Sequence, residues 1–152
     1  MRGLHLTADL HGCSAAAPAM TEPDALRALC VAAVEAAGLE AVSDVFHRYE
    51  PASGAAPQAP AGITGVVLLA ESHLAVHTWP ELGAATLDVY VCNLGRDNSA
   101  RAKVLLERLV AAFAPARVER HAIERGRATG DAPTDDGGHG IDAIARSGTA
   151  AR

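Results

Sequence analysis

One stretch of this chain gathers the groups that could do chemistry: Glu71-Ser72-His73-Leu74-Ala75-Val76-His77-Thr78-Trp79-Pro80-Glu81. It holds two carboxylates, a serine, two histidines and the single tryptophan, set between apolar runs. A buried strand carries such groups at a cost of about 1–3 kcal/mol apiece unless each is hydrogen-bonded. So many polar groups in one strand-like run mark it as a candidate site.

Four chemistries compete for these residue types. Metal binding would use His73 and His77, but on a strand a spacing of four separates them by about 13 Å. No His-Glu-x-x-His pattern occurs, and the widely spaced Cys13, Cys30 and Cys92 lack the paired spacing of a structural zinc site. A Cys–His or Ser–His hydrolase could draw on Cys92, Ser72, His77 and Asp88, yet Ser72 lies outside any Gly-x-Ser-x-Gly elbow. A pyridoxal enzyme needs a lysine for its internal Schiff base. The only lysine, Lys103, stands four residues before Glu107 in a helical pattern, the place of a surface ion pair. The fourth route is a carbonyl made from the chain itself. A serine after a scissile peptide bond can become a pyruvoyl group, whose ketone condenses with a substrate amine.

The elements that must position these groups follow from periodicity. Residues 3–11 alternate as a half-buried strand. Thr21, Pro23 and Asp24 suit a helix start, and Leu26, Leu29, Cys30, Ala33, Val34 and Ala37 form its apolar stripe before Gly38. Strands are expected over 40–49, Ile63–Ala70, Leu74–Thr78 and Ala84–Val91, with Trp79–Gly83 as a turn. Residues 51–62, with three prolines and two glycines, form a loop. Asp97 or Asn98 can cap a second helix with the stripe Val104, Leu105, Leu109, Val110, Ala112 and Phe113. A last strand fits 117–125, and residues 128–152 read as a flexible tail behind a single domain over 1–127. Two helices cannot cover both faces of six strands. The expected fold is therefore α+β, a two-layer sandwich of a mostly antiparallel sheet with two helices packed on one face. The other face needs a partner or carries the site, and a homodimer is a natural consequence.

At 152 residues, 49% hydrophobic and 20% charged, the composition is that of one globular domain. The net charge of −5 argues against nucleic acid as a partner. No uninterrupted apolar run approaches the roughly 20 residues of a membrane span, and the N-terminus lacks a signal-peptide pattern. Three unpaired cysteines fit reduced thiols in a cytoplasm.

Seven motifs then occur in order. They are Gly3-x-His5-Leu6 with Asp9 and Cys13, Phe46-His47-Arg48-Tyr49-x-Pro51, Thr64-Gly65-Val66-Val67, Glu71-Ser72-His73, His77-Thr78-Trp79-Pro80-Glu81, Asp88-x-x-x-Cys92 and Glu124-Arg125-Gly126-Arg127. Together they resemble the prokaryotic S-adenosylmethionine decarboxylase proenzymes, pyruvoyl-dependent enzymes of spermidine synthesis, over residues 3–127. The resemblance implies self-cleavage between Glu71 and Ser72. The Ser72 hydroxyl attacks the Glu71 carbonyl, His77 takes the α-proton, and Thr64 assists as a hydroxyl donor near a developing oxyanion. It implies a covalent pyruvoyl cofactor derived from Ser72, which takes the substrate amine as a Schiff base, with Cys92 as proton donor after decarboxylation. Tyr49 matches a position that stacks on adenine, and Glu81 matches the carboxylate on the ribose hydroxyls. The partners implied are S-adenosylmethionine and further copies of the cleaved two-chain protomer.

Plainer roles exist for each: a turn serine, a core histidine, a small buried thiol, a strand threonine, a packing tyrosine, a solvated acid. The chain also departs from the family at residues 52–62, which are longer than usual, and after Glu81, where Leu82-Gly83-Ala84 replaces aromatics. The same chemistry on arginine or ornithine, an unprocessed binding or regulatory homologue, and a Cys-dependent hydrolase are the alternatives.

Overall fold

The computed structural model describes residues 2–50, 61–93 and 95–126. Six strands form one sheet: β1 (Gly3–His11), β2 (Ala41–Arg48), β3 (Ile63–Leu69), β4 (Ser72–Trp79), β5 (Ala84–Cys92) and β6 (Arg117–Arg125). Their order across the sheet is β2-β3-β4-β5-β1-β6, and every neighbouring pair is antiparallel. Short turns join β3 to β4 and β4 to β5, and β2, separated from β3 by residues 49–62, completes the meander β2 to β5. The crossover through the last helix then lays β6 on the far side of β1.

Three helices pack against the sheet: α1 (Pro18–Thr21), α2 (Pro23–Ala36) and α3 (Ser99–Phe113). Leu26, Cys30, Ala33 and Val34 of α2 and Leu105, Leu106, Leu109 and Phe113 of α3 meet Leu6, Ala8, Leu10, Leu74, Val76, Leu87, Val89 and Val91 of the sheet. This is the expected two-layer α+β sandwich, with a third, four-residue helix added. Phe46 reaches this layer across Gly65, its register partner, where a Cβ would strike the ring.

Several boundaries differ from the sequence reading, each for a local reason. Thr21 does not open α2; it ends α1. Prolines at the first helical position open both helices, and the N-cap of α2 is Glu22, with no side-chain cap. On α3 the stripe runs through Ala102, Leu105, Leu106, Leu109, Val110 and Phe113, leaving Val104 and Ala112 exposed. Glu107 is held by Arg120 on β6, at 3.1 Å from both its Nε and its Nη2, rather than by Lys103. Strand β4 runs on through Trp79, and the turn is a 3₁₀ turn, Pro80–Leu82, closed by Gly83 at φ +57°. Residues 51–60 and 127–152 lie outside the described residues, and with them most of the expected loop and the expected tail.

Among the described residues, strict alternation leaves the second sheet face without helices. It displays His5 and Thr7 of β1, His73, Ala75 and His77 of β4, and Thr86, Asp88, Tyr90 and Cys92 of β5. Towards the β2 edge this face is apolar: Val45 is 65% exposed, Leu68 50% and Val66 39%.

Candidate functional site

The expected site residues fall into two clusters at opposite ends of β4. The first surrounds the Glu71–Ser72 bond, where the tight turn after β3 enters β4. The Glu71 carbonyl accepts a hydrogen bond of 2.9 Å from the Cys92 backbone N–H at the end of β5. Its carboxylate, only 11% exposed, accepts from the Glu40 amide at 3.3 Å and from Arg96 Nη2 at 3.4 Å. The Ser72 hydroxyl and His73 Nδ1 lie within hydrogen-bond distance, at 3.4 Å.

A loop built of side-chain hydrogen bonds holds Cys92 in place. The buried Asn98 donates from Nδ2 to the Cys92 carbonyl at 3.0 Å, and its own N–H donates to Asn93 Oδ1 at 2.9 Å. Arg96 Nε donates to Asn98 Oδ1 at 3.1 Å, so one loop carries both Cys92 and the guanidinium that reaches Glu71. Ser99, through its hydroxyl and its backbone N–H, holds the Asp97 carboxyl below the usual range where α3 begins.

On the open face beside Ser72 lies a connected group of rings. His73 packs on Tyr90 with centroids 5.7 Å apart, and Tyr90 meets His5 edge-on at 5.8 Å. His5 Nε2 is 3.1 Å from Asp88 Oδ1, and the Arg125 guanidinium sits 5.5 Å from the Tyr90 ring centroid. The sequence reading assigned no role in the site to His5, Tyr90, Arg96 or Arg125, and offered Asn98 only as a helix cap, the N-cap position it takes on α3. For His5, Asp88 and Tyr90 the signal was present: their alternation puts them on the face of His73. For Arg96 and Asn98 there was none, since their contacts depend on the path of a loop.

The second cluster sits at the far end of β4. Thr64 is the register partner of His77. The Tyr49 hydroxyl lies within hydrogen-bond distance of His77 Nδ1, at 3.3 Å, and Trp79 lies 6.0 Å from the His77 ring. Glu81 is exposed on the 3₁₀ turn that follows. Thr78, in the same stretch, is structural: its buried Oγ1 accepts from the Ile63 N–H at 2.9 Å and donates to the Met20 carbonyl at 2.8 Å.

Within one chain the two clusters do not meet. His77 stands five residues beyond Ser72 on one extended strand, a separation of about 17 Å. The histidine beside Ser72 is His73.

Cys13 and Cys30 stand apart from both clusters. Burial raises both thiols, that of Cys30 to about 12, as for small core hydrophobes. Among the described residues no group of three or more His, Cys, Asp or Glu could hold a metal ion, and no helix is long and apolar enough to cross a membrane.

Comparison with known proteins gives a consistent result. A protein-family model described as S-adenosylmethionine decarboxylase matches residues 4–126. An S-adenosylmethionine decarboxylase proenzyme from Aquifex aeolicus is 36% identical over 124 residues, covering 82% of this chain and 81% of the relative. One from Persephonella marina is 37% identical, covering 82% of each. The crystal structure of the adenosylmethionine decarboxylase from Aquifex aeolicus superposes with a TM-score of 0.70 at 34% identity, over 86% of this chain and 96% of that one.

Proposed function

Since the chain belongs to the S-adenosylmethionine decarboxylase family, we propose that it is a proenzyme that splits its own backbone between Glu71 and Ser72 and then decarboxylates S-adenosylmethionine. The product of that reaction is the aminopropyl donor for spermidine and related polyamines. The observation that carries this reading is the Glu71–Ser72 bond itself. It lies at the entry to β4, with its carbonyl held by the Cys92 N–H and the Ser72 hydroxyl 3.4 Å from His73 Nδ1. Nothing in the comparisons favours arginine or ornithine as substrate, or an unprocessed role.

The residues fit a pyruvoyl group formed at position 72. Ser72 is half-buried at the first position of the strand, and the preceding carbonyl is already polarised by a hydrogen bond. Formed there, the group supplies an electron-withdrawing carbonyl that takes up the substrate amine and holds the electrons freed when carbon dioxide leaves. The chain's own residues do the rest. Ser72 Oγ is the nucleophile of processing, and His77 accepts the serine α-proton. Thr64, paired with His77, offers a hydroxyl to the oxygen that gains charge. In the mature enzyme Cys92 holds the proton delivered to the product carbon. Tyr49 offers a flat face to adenine, and Glu81 accepts hydrogen bonds from the ribose.

These roles need the two ends of β4 to cooperate, which one chain does not achieve. We assign the missing half to a second copy. A two-fold axis through the open sheet face lays the His77 end of one protomer over the Ser72 end of its partner, and buries the exposed Val45, Val66 and Leu68. The working form is thus a homo-oligomer of cleaved two-chain protomers, with one domain over residues 1–127. The reduced thiols and acidic net charge support a cytoplasmic protein that does not engage nucleic acid.

Intact-protein mass spectrometry tests the processing. Two fragments are expected, the second beginning at position 72 with a blocked N-terminus. A single chain of full mass overturns the reading. Release of carbon dioxide from S-adenosylmethionine, and not from ornithine or arginine, is the expected outcome of the substrate assay.

A further inference from the structure

The two steps of self-cleavage place different demands on the chain. The first moves the Glu71 acyl group from the Ser72 nitrogen to the Ser72 oxygen. The second removes the serine α-proton and expels the ester. His77 belongs to the second step and lies about 17 Å away along the strand. The first step still needs a group to receive the hydroxyl proton, and that group must touch Ser72.

We infer that His73 is that group: its Nδ1 receives the Ser72 hydroxyl proton and returns it to the departing nitrogen, while the Cys92 N–H holds the Glu71 carbonyl oxygen. Both contacts exist within a single protomer, at 3.4 Å and 2.9 Å. The inference rests on the self-processing reading above and extends it.

The step balances without water or any other reactant. The Ser72 Oγ–H bond breaks and its proton passes to His73 Nδ1. The freed oxygen electron pair forms a bond to the Glu71 carbonyl carbon, and the carbonyl electrons move onto the oxygen facing the Cys92 N–H. When that tetrahedral centre collapses, the carbon–nitrogen bond breaks. The Ser72 nitrogen then takes the proton back from His73. The products are an ester at Ser72 Oγ and a free Ser72 amine.

The surroundings keep both partners still. The His73 ring is packed on Tyr90, which is itself flanked by His5 and Arg125. The carboxylate of Glu71 is tied to the Glu40 amide and to Arg96. Arg96 is thus a positioning residue, fixing the acyl side of the bond from the loop that also holds Cys92.

Hydroxylamine separates the two steps, because it cuts an ester far faster than a peptide bond. Freshly made wild-type, His77→Ala and His73→Gln chains are followed by intact mass, with and without hydroxylamine. Wild type should split unaided. His77→Ala should persist at full length yet be cut before residue 72 by hydroxylamine, because the ester forms and waits. His73→Gln should persist at full length and resist hydroxylamine, its splitting slowed by about 100-fold or more, the usual scale of lost proton transfer. A His73→Gln chain that splits at the wild-type rate, or that hydroxylamine cuts as readily as His77→Ala, overturns the assignment. A wild-type chain that never splits and resists hydroxylamine instead overturns the self-processing reading. Should His73→Gln fail to fold, His73→Gly replaces it: splitting restored by added imidazole supports the role, and splitting equally fast without imidazole overturns it.

Discussion

The three cysteines show how burial sorts one residue type into different uses. Cys92 ends β5 half-exposed beside the Glu71–Ser72 bond, whereas Cys30 is fully buried on the inner face of α2 with its thiol pushed up to about 12. Cys92→Ala should therefore still split at Glu71–Ser72, since the backbone N–H is unchanged. It should lose turnover by about 100-fold or more, read as carbon dioxide release per split chain; normal turnover would remove the thiol as proton donor. Cys30 makes a prediction about pH. Its folded pKa lies above the ordinary value of 9, so its contribution to stability is complete below pH 9 and drains away as pH rises towards 12. Denaturant titrations of Cys30→Ala should show a flatter loss of stability across that window than the parent chain. An equal slope would show that the thiol is not what titrates.

Strand β4 is the element on which everything else depends, and its ends are secured differently. At the far end Thr78 joins β3 to α1 through two buried hydrogen bonds. Thr78→Val keeps the shape but strands the Ile63 N–H and the Met20 carbonyl, so a loss of about 1–3 kcal/mol is expected, measured by urea unfolding. Beside it, Gly65→Ala should lower the melting temperature because its Cβ would strike Phe46. Much of this level was legible before any coordinates. The alternation along β1 and β5 correctly assigns each residue to the core or the open face. The α2 stripe and the stop at Gly38 hold as well, with φ +73° at that glycine. What periodicity missed were local events, such as the short helix opened by Pro18 and the phase of the α3 stripe.

At the scale of the whole molecule, the separation of the two clusters sets the prediction. If the His77 end serves the partner's Ser72, neither Ser72→Ala nor His77→Ala should mature alone. Chains of the two variants made together should yield split His77→Ala chains, because a partner with intact His77 completes their site. No splitting in the mixture, with both chains folded and associated, would sink the shared site. Val66→Glu on the open face should give monomers by sedimentation and an ester that hydroxylamine still cuts. The sequence by itself determined the six strands, the polar face and the residue types of the chemistry, because these depend on alternation and on neighbours along the chain. Even the distance from Ser72 to His77 was implicit in it, since the strand rise that keeps His73 and His77 from sharing a metal also keeps Ser72 from His77. Only the tertiary structure decided that Cys92 holds the Glu71 carbonyl and that Arg96 reaches back to Glu71. Those contacts join segments about twenty or more residues apart, and they exist only once the sheet order and the path of a loop have brought the segments together.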